Sequence, residues 1–149
     1  MKLCPFCTKS EQDAYLESDN FLVIYNIAPI LPGHSLVIPR KHKESLFDLT
    51  EQELAEFILL GRKAAKVIGL ALKTDSFDWA IQEKAPAGQT VPHLHMHVIP
   101  RKFNDLPDPG DWFQELEENN ENIDSGKRRK LSREEMESIV KKLKTIANK

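Results

Sequence analysis

Gly88-Gln89-Thr90-Val91-Pro92-His93-Leu94-His95-Met96-His97-Val98-Ile99-Pro100-Arg101 is the stretch around which the rest of this chain is organised. Its histidines alternate with Leu94, Met96 and Val98, a period of two that predicts a half-buried strand with one row of side chains in a core and the other facing a site. His93, His95 and His97 therefore share a face. At a rise of about 3.3 Å per residue, adjacent members of that row stand roughly 6.5–7 Å apart, so one substrate group reaches two of them but hardly three. His95, the middle one, is best placed to react. Upstream, Gly88 and the turn before Pro92 offer successive backbone N–H groups, the makings of an anion-binding nest.

Three accounts of this row compete on the residues alone. Isolated strand histidines are usually hydrogen-bonded surface residues, but three at strict alternation behind a Gly-containing turn fit that account poorly. A His-x-His metal site of the jelly-roll kind needs many strands, whereas much of this chain carries helical patterns. Imidazoles beside an anion cradle point instead to phosphate chemistry.

Length and composition set the frame. The chain has 149 residues, 40% of them hydrophobic, enough for one domain with a real core over 1–149 and too little for two. A net charge of −2 argues against nucleic-acid or membrane-surface binding by bulk charge. No apolar run reaches membrane-spanning length and the first residues lack a signal-peptide core, so the expected location is cytoplasmic. Cys4 and Cys7 are the only two cysteines. In a reducing compartment, such a C-x-x-C pair is metal-binding or redox-active; a redox pair normally follows a strand, and nothing precedes Cys4 to form one, which favours zinc.

Along the chain, 14–25 predicts a hairpin turning at Ser18-Asp19-Asn20 into the β-prone run Phe21-Leu22-Val23-Ile24-Tyr25. Asn26 ends that strand, and Pro29 and Pro32-Gly33 turn the chain into His34-Ser35-Leu36-Val37-Ile38-Pro39. Thr50-Glu51-Gln52-Glu53 is a capping box for a helix with an apolar stripe of Leu54, Phe57, Ile58, Gly61, Ala64, Ala65, Ile68 and Leu72. Ser76 to Gln82 predicts a strand. From about 104 onward the pattern loosens: a turn-rich run to Asp111, a Trp112–Leu116 cluster, then an acidic run over 117–124 and a basic run over 127–130 expected to form a mobile or solvated connection. Ser132-Arg133-Glu134-Glu135 caps a last amphipathic helix.

The stretch from Gln89 to Arg101 resembles the signature of the histidine-triad superfamily of nucleotide hydrolases and transferases, most closely the fragile-histidine-triad branch and its microbial relatives. Asn26 with Pro32-Gly33-His34, Gln82 eleven residues before His93, and the Arg-Glu-Glu-Met helix start also fit, so the resemblance covers most of the chain. It implies an α+β fold, an antiparallel sheet of about five strands with two main helices, and sheets joined across a homodimer. It implies hydrolysis of dinucleoside polyphosphates such as diadenosine tri- or tetraphosphate at the α-phosphate. His95 would be the nucleophile, forming a nucleotidyl-histidine that water resolves to a nucleoside monophosphate.

By the same resemblance His97 and Gln82 serve the phosphate and the leaving group, His93 and His34 fix geometry and tautomer, Gln89 and Thr90 hold phosphates, and Asn26 holds the ribose. Microbial members also imply a zinc site of Cys4, Cys7, His42 and His93, structural because its tetrahedral set is closed; no organic cofactor is expected. A His at the third triad position favours water over nucleotidyl transfer, since the superfamily's transferases carry Gln there. Two alternatives stay open: nucleoside phosphoramidate hydrolysis, and a nucleotide-binding adaptor with little turnover. Lys84 stands where the branch often has Gly; it is expected to be solvated.

Overall fold

The computed structural model describes residues 4–106, 112–121, 123–124 and 127–149. The predicted hairpin is β1 (Ala14–Glu17) and β2 (Phe21–Tyr25), followed by β3 (Ser35–Pro39), α1 (Glu51–Leu72), β4 (Ser76–Ile81), β5 (Met96–Arg101), the short α2 (Trp112–Glu118) and α3 (Arg133–Ala147). The strands form one antiparallel sheet in the order β1-β2-β3-β5-β4. The last five residues of the turn-rich run, 107–111, lie outside the described residues.

Because strand side chains alternate, the pairing register sorts the chain into two faces. Ala14, Ile24, Leu36, His97 and Ala80 stand opposite one another across all five strands and form a single row on one face. The next row, Val23, Val37, Met96 and Ile81, lies on the other face. There it meets Phe57, Ala64 and Ile68 of α1 and Val140 and Leu143 of α3 in the main core. The alternation of histidines with apolar residues thus separates chemistry from core. The site face has its own apolar floor of Ala14, Leu22, Ile24, Leu36 and Ile38, against which Phe6 packs.

Both expected capping boxes form: Thr50 Oγ1 accepts from Glu53 N and Ser132 Oγ from Glu135 N, while each Glu side chain reaches back to the cap N–H. The buried stripe of α1 differs in part from the expected one. Leu60 and Val67 are buried, whereas Leu54 and Ile58 are exposed, so the helix is turned away from those two positions. Gly33 adopts φ +93° in the turn before β3, where an added Cβ would run into Leu72, Pro100 and Ile68. Only glycine meets both demands, which fixes where His34 enters the site.

The segment expected to be a mobile or solvated connection is exposed at 117–120, 127, 129 and 130, and is packed at Ile123. Leu116 of α2 and Ile123 are buried against Ile99 on the site face, with Ile30, Leu31 and Ala80 around them. Acidic composition concealed one apolar anchor, Ile123, which joins Leu116 at the sheet. Among the described residues, no helix is long and apolar enough to cross a membrane.

Candidate active site

All five histidines of the chain lie in two adjoining clusters, one centred on His95 and His97 and one on His93. His93 and His95 precede the start of β5, and the His95 and His97 ring centroids are 5.0 Å apart, closer than the spacing expected along an extended row. His34, His93, His95 and His97 are all fully buried.

Hydrogen bonds to groups of fixed character assign the ring protons. His95 Nδ1 lies 2.7 Å from the carbonyl of His93, which can only accept, so Nδ1 carries a proton and the lone pair of a neutral ring sits on Nε2. The first histidine of the row therefore positions the second through its backbone. His34 Nδ1 accepts from the backbone N–H of Ile30 at 3.1 Å, so its proton sits on Nε2 and is donated to His97 Nδ1 at 2.9 Å. The remaining proton of neutral His97 is then on Nε2, directed at the same space as His95 Nε2. Asn26 Oδ1 accepts from Ala28 N at 2.9 Å, which leaves its Nδ2 3.3 Å from an already protonated His34 Nε2, a contact rather than a bond.

Burial, with the neighbouring His97 and Arg128 charges, holds His34 well below the ordinary imidazole range. Burial likewise lowers His97, aided by His95 and partly opposed by Asp124. On His95 the order reverses: burial pulls it down, but the bond and charge of Asp124 more than offset this and raise it. Asp124 itself would be pushed up by burial, and the two imidazoles hold it far below the usual carboxylate range.

Asp124 was not among the sequence candidates. Its Oδ1 and Oδ2 lie 3.0 and 3.1 Å from His95 Nε2, Oδ2 accepts from Thr90 N at 3.3 Å, and Oδ1 is 3.2 Å from His97 Nε2. The last approach is too poorly aligned for a hydrogen bond, leaving His97 Nε2 without one among the described residues. The only signal in the sequence is Ile123, a lone apolar residue late in the acidic run, which anchors its neighbour.

The other candidates divide. Thr90 reaches the histidine cluster through its backbone. Gln89 does not turn its amide there: Oε1 accepts from Lys84 N and Nε2 faces Glu44 O. Gln82 packs against Gly88, where φ is +94°, and its buried Oε1 has no hydrogen-bond partner among the described residues. Lys84 is exposed and pairs with Glu44 at 3.5 Å. Asn26, Ile24, Leu36 and Phe6 line a cavity of about 760 Å³ that also touches Asp124 and Arg128 and runs to α3.

In the second cluster Cys4, Cys7, His42 and His93 bring two sulfurs and two ring nitrogens within 4.8 Å of one another. His93 Nδ1 is 3.4 and 3.5 Å from the sulfurs of Cys4 and Cys7, and His42 Nδ1 is 3.3 Å from Cys7. His93 Nε2 donates to the carbonyl of Pro39 at 2.9 Å, which leaves Nδ1 with its lone pair toward the thiols. That is the tautomer a metal ligand needs, with the outer-shell carbonyl fixing it. This set can hold a metal ion.

The HIT domain model matches residues 8–104. Over 100 residues the chain is 43% identical to an asymmetrical bis(5'-nucleosyl)-tetraphosphatase of Schizosaccharomyces pombe, a match covering 67% of this chain and 55% of that protein. It is 32% identical over 111 residues to a bis(5'-adenosyl)-triphosphatase of Dictyostelium discoideum, covering 74% of each. Among solved structures, a Zn-bound histidine triad family protein from Mycobacterium smegmatis superposes with a TM-score of 0.70 at 28% identity, over 98% of this chain and 94% of that one. The chain spans only about half of the fission-yeast protein's length, but the family model covers well over half of this chain and includes every histidine of both clusters. With the alternating row, the His34–His97 pair and the five-stranded sheet in place, the chain belongs to the HIT domain family.

Proposed function

We propose that this protein is a hydrolase that cleaves dinucleoside polyphosphates at the α-phosphorus and releases a nucleoside monophosphate. The observation that carries this is the 2.7 Å bond from His95 Nδ1 to the His93 carbonyl, which dedicates Nε2 to attack. The names of the fission-yeast and Dictyostelium relatives, a tetraphosphatase and a triphosphatase, support the same reaction class.

In this scheme Nε2 of neutral His95 attacks the α-phosphorus and the bond to the bridging oxygen breaks. His97, protonated at Nε2 through the His34 relay, donates to the departing oxygen. The His93 carbonyl stabilises the cationic phospho-imidazole at its Nδ1–H. Water then attacks the phosphorus of the nucleotidyl-histidine while His97 Nε2, which gave its proton to the departing oxygen, takes one from the water; the P–N bond breaks and His95 leaves with its lone pair on Nε2. Asn26, at the edge of the apolar floor, takes the ribose. Ile24, Leu36 and Phe6 take the base. Thr90 N–H contacts a phosphate oxygen, with Gln89 and Gln82 shaping the loop. His93 acts by positioning.

We further propose that Cys4, Cys7, His42 and His93 hold a structural zinc ion, that the active protein is a homodimer, and that it works in the cytoplasm, where thiols stay reduced. Hydrolysis in ¹⁸O-water tests the reaction. Label should appear in the nucleoside monophosphate and not in the departing nucleotide, and turnover should vanish in His95→Ala. Label confined to the departing nucleotide, or far faster cleavage of a nucleoside phosphoramidate, would overturn it.

A further inference from the structure

Four observations converge on Asp124. Its carboxylate touches His95 Nε2, His97 Nε2 and Thr90 N, the three groups that the proposed reaction needs for the attacked phosphate. Its side chain is 7% exposed, and both imidazoles behind it are fully buried. The cavity floored by Ile24 and Leu36 reaches Asp124 and neither histidine. The residue is held from its own segment: Ile123 is buried against Ile99, and the Ile123 carbonyl accepts from the guanidinium of Arg128 at 2.7 Å, which also donates to Ala28 O at 3.0 Å.

A metal ion is the rival occupant, because His95, His97 and Asp124 form a two-histidine, one-carboxylate set. The tautomer chain argues against it. To offer a lone pair at Nε2, His97 must carry its proton on Nδ1, where it would face the proton that His34 Nε2 already directs there at 2.9 Å. A site that presents an N–H from His97 and an N–H from Thr90 is built for an anion.

We infer that Asp124 is an internal ligand of the phosphate site: its carboxylate occupies the position of an α-phosphate oxygen group, closes the histidine pair off from the cavity, and must be displaced by substrate. The device is a competitive self-inhibitor carried on the 123–124 segment, and it makes a phosphate-bearing ligand, rather than a nucleoside, the species able to open the site. Binding is weakened by the fraction of molecules in which the carboxylate is seated.

The inference rests on the proposed phosphate role of the pair only for ligand affinity, so two measurements separate them. The first is carbethoxylation of His95 by diethyl pyrocarbonate, located by fragmentation of the 93–97 peptide; the reagent needs access to a neutral Nε2, so rates are followed over rising pH and compared on the alkaline plateau, where the ring is neutral in every form and access alone differs. Asp124→Ala should raise the rate about tenfold or more, and Arg128→Met, which frees the Ile123 carbonyl while leaving Asp124 intact, should raise it in the same direction. The second is AMP binding by calorimetry, where Asp124→Ala should tighten the dissociation constant about tenfold. Retained melting transitions establish folding, and Arg128→Met serves if Asp124→Ala does not fold. Unchanged labelling in the folded variants overturns the inference, as does faster labelling with measurable AMP binding that is unchanged or weaker in the variant. Faster labelling with no AMP binding in any form upholds the occlusion and overturns the nucleotide role.

Discussion

His34 does the least visible work in the site and sets the most. Its ring has no route to substrate, yet its Nδ1 bond to Ile30 N forces the proton that fixes His97 for donation. The same burial keeps it neutral in the fold, well below the ordinary value of about 6.5, while an unfolded chain would protonate it near that value. For such a base the unfolded state binds more protons as pH falls, so its contribution to stability is full above the unfolded value and is lost below it. His34→Gln should therefore flatten the fall of stability between pH 7 and pH 5, by up to about 1.4 kcal/mol per pH unit, the limit for one proton. Denaturant titrations across that range would show it, and an unchanged slope would mean the ring is protonated in the fold. Alternation placed His95 and His97 on one face from the sequence alone, because strand periodicity is local. Proton positions were not legible there, since they depend on Ile30 N, the His93 carbonyl and a loop sixty residues away.

At the scale of elements, the N-terminal segment carrying Cys4 and Cys7 contains turns but, among the described residues, no helix or strand before β1. What it would gain from a metal is attachment to His42, just after β3, and to His93, just before β5. Phe6, between the two cysteines, then lies edge-on to His93 and His95 at 5.7 and 5.2 Å, closing the apolar side of the site. Purified protein should contain close to one zinc per chain, and chelation should lower the melting temperature by several degrees, since each kcal/mol moves it roughly 2–4 °C in a chain of this size. Well under one zinc with no change on chelation would remove the metal from this account. The C-x-x-C spacing announced the cluster, and the resemblance supplied the two histidines. The 117–124 run misled at one position, because its charge pattern is that of a solvated linker and charge does not reveal that Ile123 joins Leu116 against Ile99.

For the whole molecule the informative surface is the one left uncovered. In the order β1-β2-β3-β5-β4, β4 is an edge strand, and an edge of six residues with unpaired N–H and C=O groups is normally shielded or paired. Within it Trp79 is 47% exposed, and its ring lies next to Gly61 of α1. On α1, Leu54, Ile58 and Leu59 are also exposed, with Ile58 at 50%. Leu54 and Ile58 belong to the predicted stripe and Leu59 adjoins it, and burial against a second copy would account for their apolar character. Pairing two β4 edges would continue the sheet into the partner, and the adjoining α1 faces would supply apolar area toward the roughly 800 Å² per partner of a stable interface. Light scattering on a sizing column at micromolar concentration should then give twice the 17.1 kDa of one chain, and Ile58→Asp combined with Trp79→Asp should halve it. A mass near 17.1 kDa for the unmodified protein would leave the exposed stripe without a partner and refute the dimer. Because His95, Asp124 and Asn26 all lie on the sheet face opposite the main α1 core, monomeric variants should retain the same product pattern. Loss of turnover on dissociation would mean instead that the β5–β4 end of the sheet depends on the partner to hold His97 in register with Ala80.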